Sequence, residues 1–235
     1  MRKLFGYALI LIFAITLTAQ AAQTKSQTEA MSCSNDDPPL TSHNYGNHSG
    51  DILQTNHLEA TRPFNTNGKL ELSVCRADLR VITSPNAKEI KLTVEVKTHL
   101  LHSTVADDIR TLRVEPDHGL IELKFPKQVH ATVTLTMPMG PDSASKFTVG
   151  FGNLDFNAIG SSGNREINVG MGHLQLLLDD ETYATMQVNV GMGSFHDHRP
   201  NGHSSHFNAS RNYQGRGSGP LKINVGMGSV DIRNH

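Results

Sequence analysis

The chain has 235 residues, 37% of them hydrophobic and 18% charged, so it is long enough to bury its own core without metal or disulfide staples. A formal charge of −1 at neutral pH excludes a general electrostatic pull toward nucleic acid or anionic lipid. Tryptophan is absent and aromatics make up only 6%, which leaves few stacking platforms for bases or sugars.

Residues 1–21 read as a signal peptide. Arg2 and Lys3 form a positive n-region, Leu4 to Leu17 is an apolar run, and Ala19-Gln20-Ala21 supplies a small-x-small cleavage pattern. The run falls short of the roughly 20 apolar residues of a transmembrane helix; a retained N-terminal anchor is the competing reading. The expected location is exported (periplasmic, outer-surface or extracellular), with no membrane contact once the signal is cleaved. An oxidising compartment also bears on the two cysteines. Cys33 and Cys75 either form one disulfide or stay as separate thiols, with Cys75 a small hydrophobe inside a strand.

Residues 22–60 are polar and turn-rich, with Pro38-Pro39, Gly46 and Gly50, and read as a flexible leader. From there to residue 235 the pattern is that of strands. Leu70, Leu72 and Val74 alternate with polar residues, as do Ile90 to Val96 and Val129 to Met137. Leu112–Val114 and Leu120–Phe125 are shorter strand candidates separated by Asp117-His118-Gly119, and residues 104–110 can make one helical turn.

A decapeptide then recurs. Phe147-Thr148-Val149-Gly150-Phe151-Gly152-Asn153-Leu154-Asp155-Phe156 returns with first residues Ile167, Val188 and Ile223, at spacings of 20, 21 and 35. A period near 20 marks stacked coils, each burying its apolar face against its neighbours. The longest spacing leaves a His-rich insertion at about residues 196–216. In each unit the apolar residues fall on positions one, three and five, then eight and ten. In an unbroken strand that slip would turn the second set into water. It coincides every time with a Gly-x-Gly: Gly150/Gly152, Gly170/Gly172, Gly191/Gly193 and Gly226/Gly228. The glycines are therefore expected to form a corner or bulge that returns the chain inward, with valines and methionines sharing one interior. A dinucleotide-binding fingerprint is excluded, because no third glycine and no helix pattern follow. The fold class expected is all-β, a single-stranded or right-handed parallel β-solenoid.

At these residues the chain resembles the bacterial putative-adhesin domain family of exported, toast-rack-like or head-domain β-solenoids. The resemblance runs from about Phe64 to the C-terminus. It is carried by Gly68-Lys69-Leu70-Glu71-Leu72 with Ala77-Asp78-Leu79-Arg80-Val81, by Val133 to Gly140, and by the Gly-x-Gly coils. An acidic residue usually follows the second glycine in that family; Asn153, His173, Ser194 and Ser229 stand there in this chain. The resemblance implies the solenoid fold and an adhesin-type label, not a ligand.

Candidate chemistry is sparse. His196, His198, His203 and His206 carry imidazoles suited to zinc, copper or nickel, but their spacing matches no strong zinc pattern, and a polar surface loop is the competing reading. Calcium repeats are excluded, since the ninth repeat position is Asp155, Gln175, His196 and Asp231, too few carboxylates for six to eight oxygens. Asn168, Asn189 and Asn224 at the second position either form an amide ladder along the stack or stand solvated on an outer face. No nucleophile elbow, zinc-protease helix or phosphate loop occurs in the sequence.

The expected function is therefore a non-enzymatic exported structural or binding module of the envelope or surface, without cofactor. Its partner would be a protein or glycan and not nucleic acid. An envelope-stress or sensor-associated scaffold is the alternative, and metal binding by the His-rich loop a lesser one. The final coil, ending at Arg233-Asn234-His235, is expected to leave an edge strand at Val230 and Ile232 open to end-to-end self-association.

Overall fold

A computed structural model describes residues 54–84, 86–98, 113–125 and 130–234. Residues 1–53, which hold the expected signal, most of the leader and Cys33, lie outside the described residues, as do residues 104–110. The described chain is all-β, with no helix among the described residues. The strands are β1 (Gln54–Pro63), β2 (Lys69–Arg76), β3 (Asp78–Thr83), β4 (Glu89–Thr98), β5 (Arg113–Val114), β6 (His118–Leu123) and β7 (His130–Met137). They continue as β8 (Ala144–Phe151), β9 (Leu154–Asn157), β10 (Asn164–Leu177), β11 (Thr185–Asp197), β12 (Ser204–His206), β13 (Ala209–Gln214) and β14 (Pro220–Arg233). β1 begins inside the segment expected as leader. Likewise, Asp117-His118-Gly119, expected to split two strands, feeds directly into β6.

All fourteen strands belong to one sheet. The strand segments before the glycines pair in parallel, in the order β6-β2-β8-β10-β14-β11. The halves after the glycines pair in parallel as β7-β3-β9-β10-β14-β11. Identical repeat positions face one another throughout, so Phe147, Ile167, Ile223 and Val188 share one row. β1 and β4 close one end of this arrangement in antiparallel fashion. The inner faces of both halves merge into a single hydrophobic cluster. Phe147 and Phe156 meet across the corner of one coil with ring centroids 5.5 Å apart.

Two expectations about the coils are corrected. The first concerns order. β14 does not follow β11 at an open end; it is hydrogen-bonded between β10 and β11, and Val230 and Ile232 are fully buried. The third decapeptide lies two strand spacings, about 10 Å, beyond the second, and the fourth fills the place between them. The proposed edge at the C-terminus does not exist. The His-rich insertion is also more than a loop: β12 and β13 pair antiparallel with the free side of β11 and cover it.

The second correction concerns phase. The valines of the repeat are buried, but its fifth-position residues Phe151, Met171, Met192 and Met227 point outward. Four successive residues, Gly170 to His173, stay out of the core before Leu174 re-enters it. Of the corner and the bulge, the chain forms the corner, a convex one that leaves the fifth position outside while both flanking apolar sets face one interior.

Glycine is required at the corner by close approach. Gly172 has φ +151 and Gly228 φ +140, and a Cβ on Gly172 would strike the carbonyl oxygen of Gly152, as one on Gly228 would strike that of Gly172. Gly160 is a useful contrast, since its φ is +69 but nothing lies within 4 Å of a Cβ there. Gly228→Ala is expected to destabilise the fold by at least about 3 kcal/mol, through clash added to backbone strain. Gly160→Ala should lose only about 1–2 kcal/mol. Urea unfolding of both variants checks this; equal losses would mean that stacking imposes no demand of its own.

Candidate functional site

The outer surface of the sheet carries three features in rows fixed by the register. The first is the amide ladder. Ser210 Oγ donates to Asn189 Oδ1, Asn189 Nδ2 to Asn224 Oδ1 at 3.1 Å, and Asn224 Nδ2 to Asn168 Oδ1 at 2.9 Å. Asn168 Nδ2 completes the chain by donating to Glu166 Oε1. Of the two readings left open by the sequence, the ladder is the one found, and its sequence 189-224-168 follows the spatial order of the coils.

The second feature gathers the histidines. Asp231 on β14 lies between His198, whose Nε2 is 3.0 Å from Oδ1, and His173, whose Nε2 is 3.3 Å from Oδ2. His173 Nδ1 is also 2.6 Å from Ser229 Oγ. The His196 ring stacks on His198 at 6.2 Å and meets His206 edge-on at 5.6 Å. Three of the four candidate metal residues are thus brought together, while the exposed His203 joins only through its carbonyl, which accepts from Asp197 N–H. Among the described residues no three His, Cys, Asp or Glu side chains form a group able to hold a metal ion. His173 and Asp231 escaped the sequence reading because they lie 23 and 35 residues from His196, and only the coil register makes them neighbours.

What holds the insertion in place is a buried ion pair. Asp197 occupies the tenth repeat position, where Phe156, Leu176 and Ile232 face the core. A carboxylate there needs a cation, and Arg199 supplies it. Arg199 Nε donates to Asp197 Oδ1 at 2.9 Å and Nη2 to Oδ2 at 2.8 Å, with both side chains nearly inaccessible. Arg199 Nη1 donates further to Tyr183 Oη and Asp180 Oδ1, and its guanidinium lies over the rings of Tyr183 and Tyr213. Burial alone would raise the Asp197 pKa, but the Arg199 hydrogen bonds and charge outweigh it and hold the carboxyl below its ordinary range. Burial and the nearby Asp197 charge push the Tyr213 hydroxyl up to about 12. The sequence did contain a signal for this pair: an aspartate at a repeat position that is otherwise apolar.

The third feature is the corner itself. Phe151, Met171, Met227 and Met192 stand side by side in register, each 42–50% exposed. Beyond Met192, Phe207 extends the row at 73% exposed, anchored where its N–H donates to the Gly193 carbonyl. At the opposite end Arg76 lies over the Phe151 ring at 5.7 Å. The glycines on either side leave these side chains proud of the surface. Polar rows flank them, the asparagine ladder on one side and Asn153, His173, Ser229 and Ser194 on the other.

No family model matches this chain, and no curated protein does. Among solved structures the chain is similar to a putative cell adhesion protein from Clostridium sporogenes, at 13% identity over 77% of this chain and 100% of that one, with a TM-score of 0.42. At that identity the similarity says nothing of ligand or activity.

Arg199→Met should destabilise the protein by about 3–5 kcal/mol, because it leaves Asp197 buried and unpaired, while Asp197→Leu combined with Arg199→Met should recover most of that loss. Denaturant titration of the wild type and these two variants tests the coupling. The depressed Asp197 pKa contributes stability that is complete above the unfolded value near 3.9 and disappears as pH falls through the folded one. The raised Tyr213 pKa contributes below about pH 10, and that contribution is lost as pH rises toward 12. Absorbance titration should find one tyrosine fewer ionising near pH 10 in the wild type than in Tyr213→Phe plus free tyrosine.

Proposed function

We propose that this protein is an exported, non-enzymatic binding module of adhesin type, built as a β-solenoid and presented in the cell envelope or at the surface. The observation that carries the reading is the apolar corner row. Contiguous exposed apolar side chains on a soluble surface mark contact sites, and methionines adapt to irregular partners. Four strands at about 4.8 Å make a row roughly 15 Å long. The parallel ladder beneath holds its spacing rigid, so a partner protein or glycan would meet a preformed surface at little ordering cost. Export rests on the N-terminal pattern of Arg2 to Ala21. The same compartment supports a Cys33–Cys75 disulfide: Cys75 is buried in β2, and Cys33 lies outside the described residues.

Serine replacing Met171, Met192 and Met227 together should change stability by less than about 2 kcal/mol, since these side chains are half in water already. In attachment assays a deletion strain should bind its surface less than the parent. Wild-type protein should restore attachment and the triple variant should not. Attachment that is unaffected by deletion would reject the adhesin role and favour an envelope scaffold. For the cysteines, intact mass under alkylating, non-reducing conditions should show no adduct and one adduct pair after reduction.

A further inference from the structure

Arg165 on β10 is among the largest fully buried side chains in the described structure, at 0% exposure, and among the described residues it has no ion-pair partner. Its Nη1 reaches Ser161 Oγ at 3.5 Å, the outer limit of a hydrogen bond, and its Nε and Nη2 have no partner. Those two atoms form the side-on edge of the guanidinium, whose parallel N–H groups fit a bidentate acceptor. Arg199 shows in the same molecule what that edge does when satisfied: Nε and Nη2 take the two oxygens of Asp197.

The surroundings supply neutral hydroxyls and hydrocarbon. Ser145, directly across the ladder on β8, is buried and its Oγ is also unpartnered. The Ser161 and Ser143 hydroxyls donate to the carbonyls of Ala158 and Gly140, so each can offer Arg165 only neutral lone pairs and no charge. Leu221 on β14 and Leu70 on β2 continue the row as hydrocarbon on either side. Among the described buried residues the one carboxylate is Asp197, and Arg199 has claimed it. Burial lowers the Arg165 pKa to about 10, which still leaves it charged at neutral pH. An isolated charge of this kind is among the least favourable things a core can contain, and water would satisfy its hydrogens without neutralising it.

We infer that the side-on edge of Arg165 and the Ser145 hydroxyl form an internal site for a small monovalent anion of the chloride class. One positive charge calls for one negative charge. Hydrocarbon on both flanks disfavours a divalent or strongly hydrated ion. The site is independent of the corner row and of whatever that row contacts, so it stands or falls apart from the proposed function.

Full-length mature protein refolded in sodium chloride and in sodium gluconate at equal ionic strength provides the test. Thermal unfolding should occur about 2–4 °C lower in gluconate, a shift that corresponds to modest anion linkage for a chain of this size. Arg165→Met should unfold at the same temperature in both salts. Crystals grown in bromide should show anomalous density against the Arg165 Nε–Nη2 edge, which keeps the site testable should the variant fail to fold. Identical unfolding of the wild type in both salts, with no bromide at Arg165 or with bromide on the exterior alone, would overturn the site.

Discussion

The approach of one backbone to the next at the Gly-x-Gly corners constrains everything else in this molecule. Each second glycine of the repeat faces a neighbouring carbonyl where any other residue would place its Cβ, in an unbroken column from Ala77 through Gly152, Gly172 and Gly228 to Gly193. Strands can keep register through a sharp bend only if the bends nest, and nesting at backbone distance requires that side chains be absent there. Once the bends nest, the rest follows from the register. Apolar rows line up inside, asparagine amides meet edge to edge, and the fifth-position side chains have nowhere to go but outward.

That geometry explains which parts of the structure could be read in the sequence. The alternating strands, the period and the existence of a corner were legible because each leaves a local mark: a period of two, a repeated decapeptide, a fixed glycine pair. The direction of the corner was not. An apolar residue between two glycines looks like core by composition, and only the turn geometry shows that Met171 and its counterparts stand on the outside of the bend. Nor was the order of the coils legible. Chain order is the natural expectation for a repeat, and nothing local to Val188 or Ile223 says that the later segment enters between the earlier two. The only trace is the 35-residue spacing, which fits an insertion looping outward as well as it fits strands that cap β11 and then return.

The polar residues in the core divide along the same line. Asp197 and Arg165 both occupy positions where other copies of the row are mainly apolar, so a careful alignment of the repeats flags each. Their consequences differ. Asp197 is matched by a residue two positions away and becomes a clasp that fixes the insertion against Tyr183 and Tyr213. Arg165 faces hydroxyls and hydrocarbon. The histidines illustrate the opposite case, conspicuous in sequence and modest in structure. Their rings meet one another and a shared aspartate, yet they do not converge on a point, and the partners that organise them come from other coils.

The placement of β14 has a bearing on how the chain reaches its final form. A strand that comes after both β10 and β11 in the chain occupies an interior berth between them, with hydrogen-bonding neighbours on both flanks. Until it arrives, β10 and β11 each present an unmatched edge, and the covering strands β12 and β13 guard only the far side. Closure of the sheet is thus tied to β14: a chain in which this strand has yet to dock stays open at its middle, and loss of its pairing would unseat the centre of the sheet and not its margin.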